Sequence, residues 1–305
     1  MINRKQFIAR TTLAATGLLL DAYAQPLTAA AAREGFQLKI LGTDWGFPGS
    51  LDEYGAKVKA AGYDGIEIWW SLEQARQDAV FAMLKKYGLE VGFLCGAYEE
   101  DPAEHFEHFK KMVEGAARNT RQRPLYINCH SGRDFFSFED NKKFIDCTTA
   151  ISKETGVKIL HETHRSRILF AAPVARRYLE AIPELRITLD VSHWCNVSES
   201  LLADQPKTVS MALERAEHIH ARIGHPEGPQ VSDPRAPEWQ PVVEAHFAWW
   251  DVILRRKKER GEAMTILTEF GPPDYMPTLP YSHNPVADQW AINTHMLQIL
   301  RKRYA

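Results

Sequence analysis

The 305-residue sequence predicts an α/β fold, a single-domain (β/α)8 TIM barrel behind an N-terminal export signal. Three observations carry this expectation. From Phe36 onward, short β-branched apolar runs alternate with longer amphipathic ones, eight times over roughly 270 residues, the span such a barrel needs. The order is always strand then helix, which requires long crossovers and hence parallel strands. Carboxylates and histidines recur at the carboxyl ends of the strand-like runs, where barrels of this kind build their sites.

The strand-like runs are residues 37–41, 65–69, 90–94, 125–129, 158–162, 186–190, 218–222 and 265–269. Helical periodicity falls at 51–61, 75–87, 103–118, 141–155, 173–181, 242–258 and 287–302. Gly62, Gly88 and Gly156 stand where a helix hands over to a strand and a glycine cap is favoured. A doubly wound open sheet shares this alternation, but no G-x-G-x-x-G follows the first strand, so dinucleotide binding lacks support. One long insertion, 224–240, follows strand seven.

Ahead of the barrel, Arg4 and Lys5 precede an apolar run at 11–20 and a small-residue stretch at 28–32, the pattern of an export signal. Arg4-Lys5-Gln6-Phe7-Ile8 resembles a twin-arginine motif with Lys for the second Arg, which leaves both the Tat and Sec routes open. The expectation is a signal at 1–32, a barrel at 33–305, and a soluble periplasmic protein. No other stretch approaches the ~20 apolar residues of a membrane span.

Composition narrows the function classes. With 45% hydrophobic and 25% charged residues, the chain is an ordinary globular one rather than a disordered or multi-spanning one. Its net charge of -2 gives no attraction to nucleic acid or to an anionic membrane. The four cysteines lack the close spacing of a zinc knuckle; Cys95 and Cys129 end apolar runs and read as buried free thiols.

The strand ends hold the chemistry. Period-two alternation groups Glu162 with Leu160, Asp190 with Thr188 and Glu269 with Leu267, so each carboxylate can face the barrel axis. Several ionised carboxylates converging on one buried mouth need a cation or shared protons. One divalent ion satisfies Glu162, Asp190, His220 and Glu269 together. Three oxygens and one imidazole suit Mn²⁺ first, with Co²⁺, Mg²⁺, Ni²⁺ or Zn²⁺ as competitors.

The same residues carry a family resemblance. Gly62-Tyr63-Asp64-Gly65-Ile66-Glu67 resembles a strand of xylose isomerase-like TIM barrels, the sugar isomerase/epimerase superfamily. Asp190-x-x-His193 resembles its metal Asp and substrate His, and His218-Ile219-His220-x-Arg222 its strand-seven metal His. Glu162 and Glu269 resemble its paired glutamates, which bind metal and move protons. The resemblance implies a divalent-metal-dependent isomerase or epimerase for a keto-sugar, with Glu162 and Glu269 exchanging the proton beside the carbonyl through a metal-stabilised enediolate. His193 then contacts a substrate hydroxyl, and Arg222 or His164 polarises an oxygen. Ketose 3-epimerases place a substrate Arg several residues beyond the strand-seven His; here Gly224-His225-Pro226-Glu227 stands there, and Arg222 is the nearer candidate.

Gly271-Pro272-Pro273 is too stiff for a phosphate cradle, which favours a non-phosphorylated sugar. An alternative chemistry is a lyase or hydratase that cleaves 3-keto-glycosides by β-elimination. A sugar-binding barrel without turnover is the alternative of another class. Endonuclease IV-like enzymes share the barrel, but the near-neutral charge argues against DNA as partner. The expected partner is a small sugar or glycoside, with a homo-oligomer open.

Further candidates flank this set. His130 and Glu67 read either as substrate contacts or as internal hydrogen-bonding groups, and Trp45 and Trp69 as stacking faces for a sugar. Trp70 is expected to pack in the wall, Trp249 and Trp250 on the barrel or an oligomer interface. His161 and His218 are expected to be structural, and His105 and His108 solvated. The 224–240 and 272–285 loops are long enough to cover the mouth and bring His225, Glu227 or His283 to substrate.

Overall fold

In the computed structural model, which describes residues 35–305, eight short parallel strands close on themselves. The export signal read at 1–32 lies outside the described residues. The strands are β1 (Leu38–Thr43), β2 (Gly65–Trp69), β3 (Glu90–Gly96), β4 (Ile127–His130), β5 (Ile159–Glu162), β6 (Ile187–Leu189), β7 (Ala216–His220) and β8 (Met264–Leu267). β8 pairs with β1 at Leu41↔Leu267, so the sheet has no free edge. Each expected strand is present, shifted by at most a few residues.

The helices are α1 (Leu51–Ala61), α2 (Gln74–Tyr87), α3 (Pro102–Arg118), α4 (Phe138–Thr155), α5 (Ala172–Ala181), α6 (Val191–Val197), α7 (Pro206–Arg215), α8 (Gln240–Arg260) and α9 (Gln289–Tyr304). Their starts are written locally. Ser50 accepts from Glu53 N–H while the Glu53 carboxylate takes the Ser50 N–H at 2.7 Å, a closed capping box. Gly62, Gly88 and Gly156 close α1, α2 and α4 in the left-handed conformation.

Apolar helix faces and the outer face of the barrel form one large core. A separate cluster of Leu41, Tyr126, Leu160 and Leu267 plugs the barrel interior. Leu160 and Leu267 lie two residues before Glu162 and Glu269, so this plug is the floor beneath the polar strand ends. Cys95, Cys129 and Cys195 are buried free thiols. No helix among the described residues is long and apolar enough to cross a membrane.

Two sequence expectations are corrected here. β6 and β7 are joined by two helices, α6 and α7, where periodicity had marked none. α6 spans only seven residues, too few for a period to show, and α7 begins at Pro206, a starting signal rather than a break. His105 is fully buried, not solvated. It begins the inward stripe His105, Phe109, Met112, Val113 and Ala116 of α3, between the rings of Phe136 and Phe144. Its Nδ1 lies 2.9 Å from the Glu99 carbonyl, and the charged neighbours in sequence face outward. His108 does stay half-exposed, beside Glu99. Trp70 packs in the wall against Phe81 and Phe93, and Trp249 and Trp250 are buried in the core.

His246 on α8 sets an acid limit on this packing. Its Nδ1 donates to the Val242 carbonyl at 2.8 Å, and Nε2 accepts the Gly224 N–H at 3.2 Å. Burial pulls its pKa down from 6.5 to about 4. The unfolded chain therefore binds this proton more readily, and stability is lost as pH falls from about 6.5 towards 4, at about 1.4 kcal/mol per pH unit for this group. Urea denaturation at pH 7 and pH 5 will show a lower midpoint at pH 5, and His246→Gln will flatten that dependence.

Candidate metal centre

β5 ends in Glu162 and β7 in His220; Asp190 lies one residue beyond β6, and Glu269 two beyond β8. One ligand atom from each of these four lies within 4.8 Å of every other. His220 Nδ1 is 2.8 Å from Glu269 Oε2 and 3.5 Å from Glu162 Oε1. None of these three buried atoms has a hydrogen-bond partner. Buried polar atoms are rarely left bare, and here they converge on one point. The donor set, carboxylate oxygens with one imidazole nitrogen, fits a divalent cation.

Charge supports the same fit. Glu162, Asp190 and Glu269 lie within reach of the Arg222 guanidinium, and Glu67 faces His220. Burial works to raise the Glu162 carboxyl, but His220 and His130 hold it well below the usual range. Burial pushes Asp190 up to about 6 despite Arg222. Burial likewise works against a charged His220, yet Glu269, Glu162 and Glu67 drive its pKa well above the ordinary value. The cluster calls for more positive charge than the chain itself provides.

A profile described as xylose isomerase-like TIM barrel matches residues 56–237. The chain belongs to the xylose isomerase-like TIM-barrel family. No curated protein matches the sequence. Among solved structures, a D-tagatose 3-epimerase-like protein is similar at 16% identity and TM-score 0.55, covering 88% of this chain and 100% of that one. The "probable 3-DHS dehydratase AsbF involved in the petrobactin synthesis" from Bacillus anthracis follows at 16% and 0.54, with the same coverage. Endonuclease IV from Thermus thermophilus stands at 14% and 0.51, over 88% and 97%. At these identities the likeness is one of fold.

In this xylose isomerase-like barrel the ligand candidates are held from behind. Glu162 Oε2 accepts from Asn128 Nδ2 at 2.7 Å and lies 3.0 Å from His130 Nε2, leaving Oε1 free. Asp190 caps α6 through the Ser192 N–H and pairs with Arg222 through its other oxygen. Both of its oxygens are thus engaged, one by the helix start and one by Arg222. Beyond β8, amide side chains fasten the backbone that presents Glu269. Asn293 donates to and accepts from Phe270, at 2.9 Å each way. Gln230, from the insertion after β7, does the same for Gly271 at 3.2 and 2.7 Å.

A cavity of about 320 Å³ opens above the cluster. Trp45, Glu67, His130, His164, Arg222 and Glu269 line it, as does Trp69. His193 does not. It is fully buried, 2.9 Å from Arg222 through Nε2 and 4.0 Å from the His164 ring, so it braces these two rather than reaching the cavity. His225 packs on Trp239, while Glu227 and His283 are exposed and away from the cavity wall. His161 is a structural histidine between Ser131 and Thr148.

Tyr98 and Tyr275 escaped the sequence reading, and Asn128, a polar residue at the end of the fourth strand, was given no role there. Asn128 had a signal, since it shares the inward face with His130 two residues on. Tyr275 had none. It comes from the irregular 272–285 loop, stands over Arg222 at 4.7 Å and meets Trp45 edge-on at 4.9 Å. A Cβ on Gly271 would lie 2.3 Å from the Trp45 ring, so only glycine lets that ring stand where it does.

Two outcomes test this wall. Gln230→Leu orphans both backbone groups of Gly271 and will cost about 2–4 kcal/mol in urea denaturation. Mn²⁺ will raise the thermal midpoint of chelator-treated protein, and Asp190→Asn will blunt that rise.

Proposed function

We propose that this chain is a divalent-metal-dependent isomerase or epimerase of a non-phosphorylated keto-sugar. The observation that carries this reading is the pair of bare carboxylate oxygens, Glu162 Oε1 and Glu269 Oε2, flanking His220 beneath an aromatic-walled cavity. A divalent ion held by Glu162, Asp190, His220 and Glu269 supplies Lewis-acid polarisation of a substrate carbonyl.

The protein's own groups account for the rest. One glutamate takes the proton from the carbon beside the carbonyl, and the electron pair moves into the carbonyl to give an enediolate. Glu162 suits this step because Asn128 and His130 hold its Oε2 and leave Oε1 free. Return of a proton to the opposite face epimerises the centre; return to the neighbouring carbon, with the hydroxyl proton passing from one oxygen to the other, isomerises the sugar. Arg222 and His164 border the cavity as groups that hold substrate oxygens, and Trp45 offers a face to its C–H bonds. The backbone after β8 supports a substrate without phosphate. The Phe270 and Gly271 N–H groups are engaged by Asn293 and Gln230, and Pro272 and Pro273 have none to give. With an export signal at 1–32 ahead of a barrel at 33–305, the reading extends to a periplasmic enzyme, where sugar phosphates are scarce.

A second reading, a lyase or hydratase acting on 3-keto-glycosides, is favoured by one feature. At the outer edge of the cavity Trp69 and Tyr98 are exposed, their ring centroids 6.2 Å apart, a shelf suited to an aglycone. Removal of the proton at C2, beside the ketone, then expels the C1 substituent. The dehydratase among the structural neighbours fits this chemistry, and the epimerase-like protein fits the first.

Free ketoses and 3-keto-glycosides, offered with Mn²⁺ in D₂O, separate these readings by product mass. The isomerase gives a product of conserved mass apart from deuterium taken up at the exchanged carbon; a lyase gives two products. Glu162→Gln and Glu269→Gln will each lower the exchange by about 10²–10⁴-fold. Undiminished exchange in both variants sinks the proton-transfer assignment, and sugar binding without exchange identifies a binding protein.

A further inference from the structure

A second cavity, of about 200 Å³, lies outside the sheet between α1 and α9. Gly42 of β1 and Thr268, one residue beyond β8, belong to its floor. Their neighbours Leu41 and Leu267 point into the barrel plug, so pleat alternation turns Gly42 and Thr268 outward, away from the metal cluster. None of the candidate metal ligands lines this cavity. Thr43 and Trp45 border both it and the mouth, so the Trp45 side chain is a partition between two separate spaces.

Tyr54 of α1 lines the cavity at 1% exposure, and its hydroxyl has no hydrogen-bond partner. A Cβ on Gly42 would lie 3.1 Å from that hydroxyl, so the glycine keeps the space before it open. Burial raises the phenol's pKa well above its ordinary value, and the oxygen keeps a hydrogen to donate. The polar groups beside it are spent. The Tyr63 hydroxyl donates to the Asn293 carbonyl at 3.1 Å and lies 2.7 Å from Thr268 Oγ1, and the Asn293 amide is committed to Phe270. A buried donor without an acceptor is something folded chains seldom keep. At the rim, the exposed Lys57 ammonium stands over the rings of Trp290 at 4.3 Å and Phe47 at 5.4 Å. It pairs with no carboxylate among the described residues. Asp288, the acid on the same rim, spends Oδ1 on the Ala291 N–H at 3.0 Å.

We propose that this side cavity binds a small carboxylate with a flat apolar face: its charge on Lys57, its body against the aromatic walls, and a second acceptor oxygen on Tyr54. Two unmet donors, one of them charged, call for a ligand that accepts at both ends. Walls of Trp290, Phe47 and Trp45 call for a ring with an apolar face. A hydroxybenzoate and a uronic acid share this chemistry. The site goes beyond the reaction at the mouth and stands whether the mouth performs isomerisation, elimination or no turnover.

The test is calorimetric titration of the full chain with 4-hydroxybenzoate and with glucuronate, each beside its neutral counterpart, 4-hydroxybenzamide and glucose. The expected result is binding of at least one acid, with its neutral counterpart about tenfold weaker or more. Lys57→Gln and Tyr54→Phe each lower that affinity about tenfold. Neither substitution touches the mouth, so binding there is not affected by them. Tyr54→Phe leaves the urea midpoint of the free protein unchanged or higher, because no hydrogen bond is lost. Binding of one acid alone upholds the site and names its ligand class. The proposal is overturned if neither acid binds, if a neutral counterpart binds as tightly, if either variant keeps full affinity, or if Tyr54→Phe lowers the urea midpoint.

Discussion

Four carboxylates crowd one end of a closed barrel, and most of what surrounds them follows from that repulsion. Glu67 and Glu162 lie on β2 and β5, and Asp190 and Glu269 stand one and two residues beyond β6 and β8. Isolated in a protein interior, such charges are too costly to keep. Arg222 answers part of the problem by pairing with Asp190 and approaching Glu269 at 3.4 Å. His220 answers another part by standing among Glu67, Glu162 and Glu269. The unmet remainder is what gives the site its appetite for a cation.

The support around the cluster is the means of holding that arrangement still. Asn128 and His130 occupy one oxygen of Glu162, so only the other is left to act. Ser192 and Arg222 occupy the two oxygens of Asp190. Arg222 is itself fixed by His193 and Ser192 and stacked beneath Tyr275. Side chains with one free atom and one anchored atom have lost their rotamer freedom before any substrate arrives.

The barrel was legible because β-branched runs and amphipathic stretches repeat in a fixed order, and because a closed parallel sheet tolerates little else. The inward carboxylates were legible for the same reason: a period of two assigns each side chain a face. Depth was not legible. His164 and His193 each follow closely on a strand-end carboxylate, yet one lies under the other, a consequence of α6 turning back immediately after Asp190. His105 was hidden by charged neighbours that face away from it on the helix. Tyr275 and Gln230 act from loops without periodicity, so nothing in their surroundings marks them until the loops are seen together.

The reciprocal amides of Gln230 and Asn293 carry a last consequence. They bind the segment after β7, the segment after β8 and α9 into one piece, and Gln289 adds Trp45 to it by donating to its carbonyl. That flank of the mouth is a fixed jamb. The neighbouring flank, carried by β2 and β3, ends in the solvent-facing rings of Trp69 and Tyr98. The mouth is thus fastened by hydrogen bonds along one flank and left with exposed aromatic faces along the next.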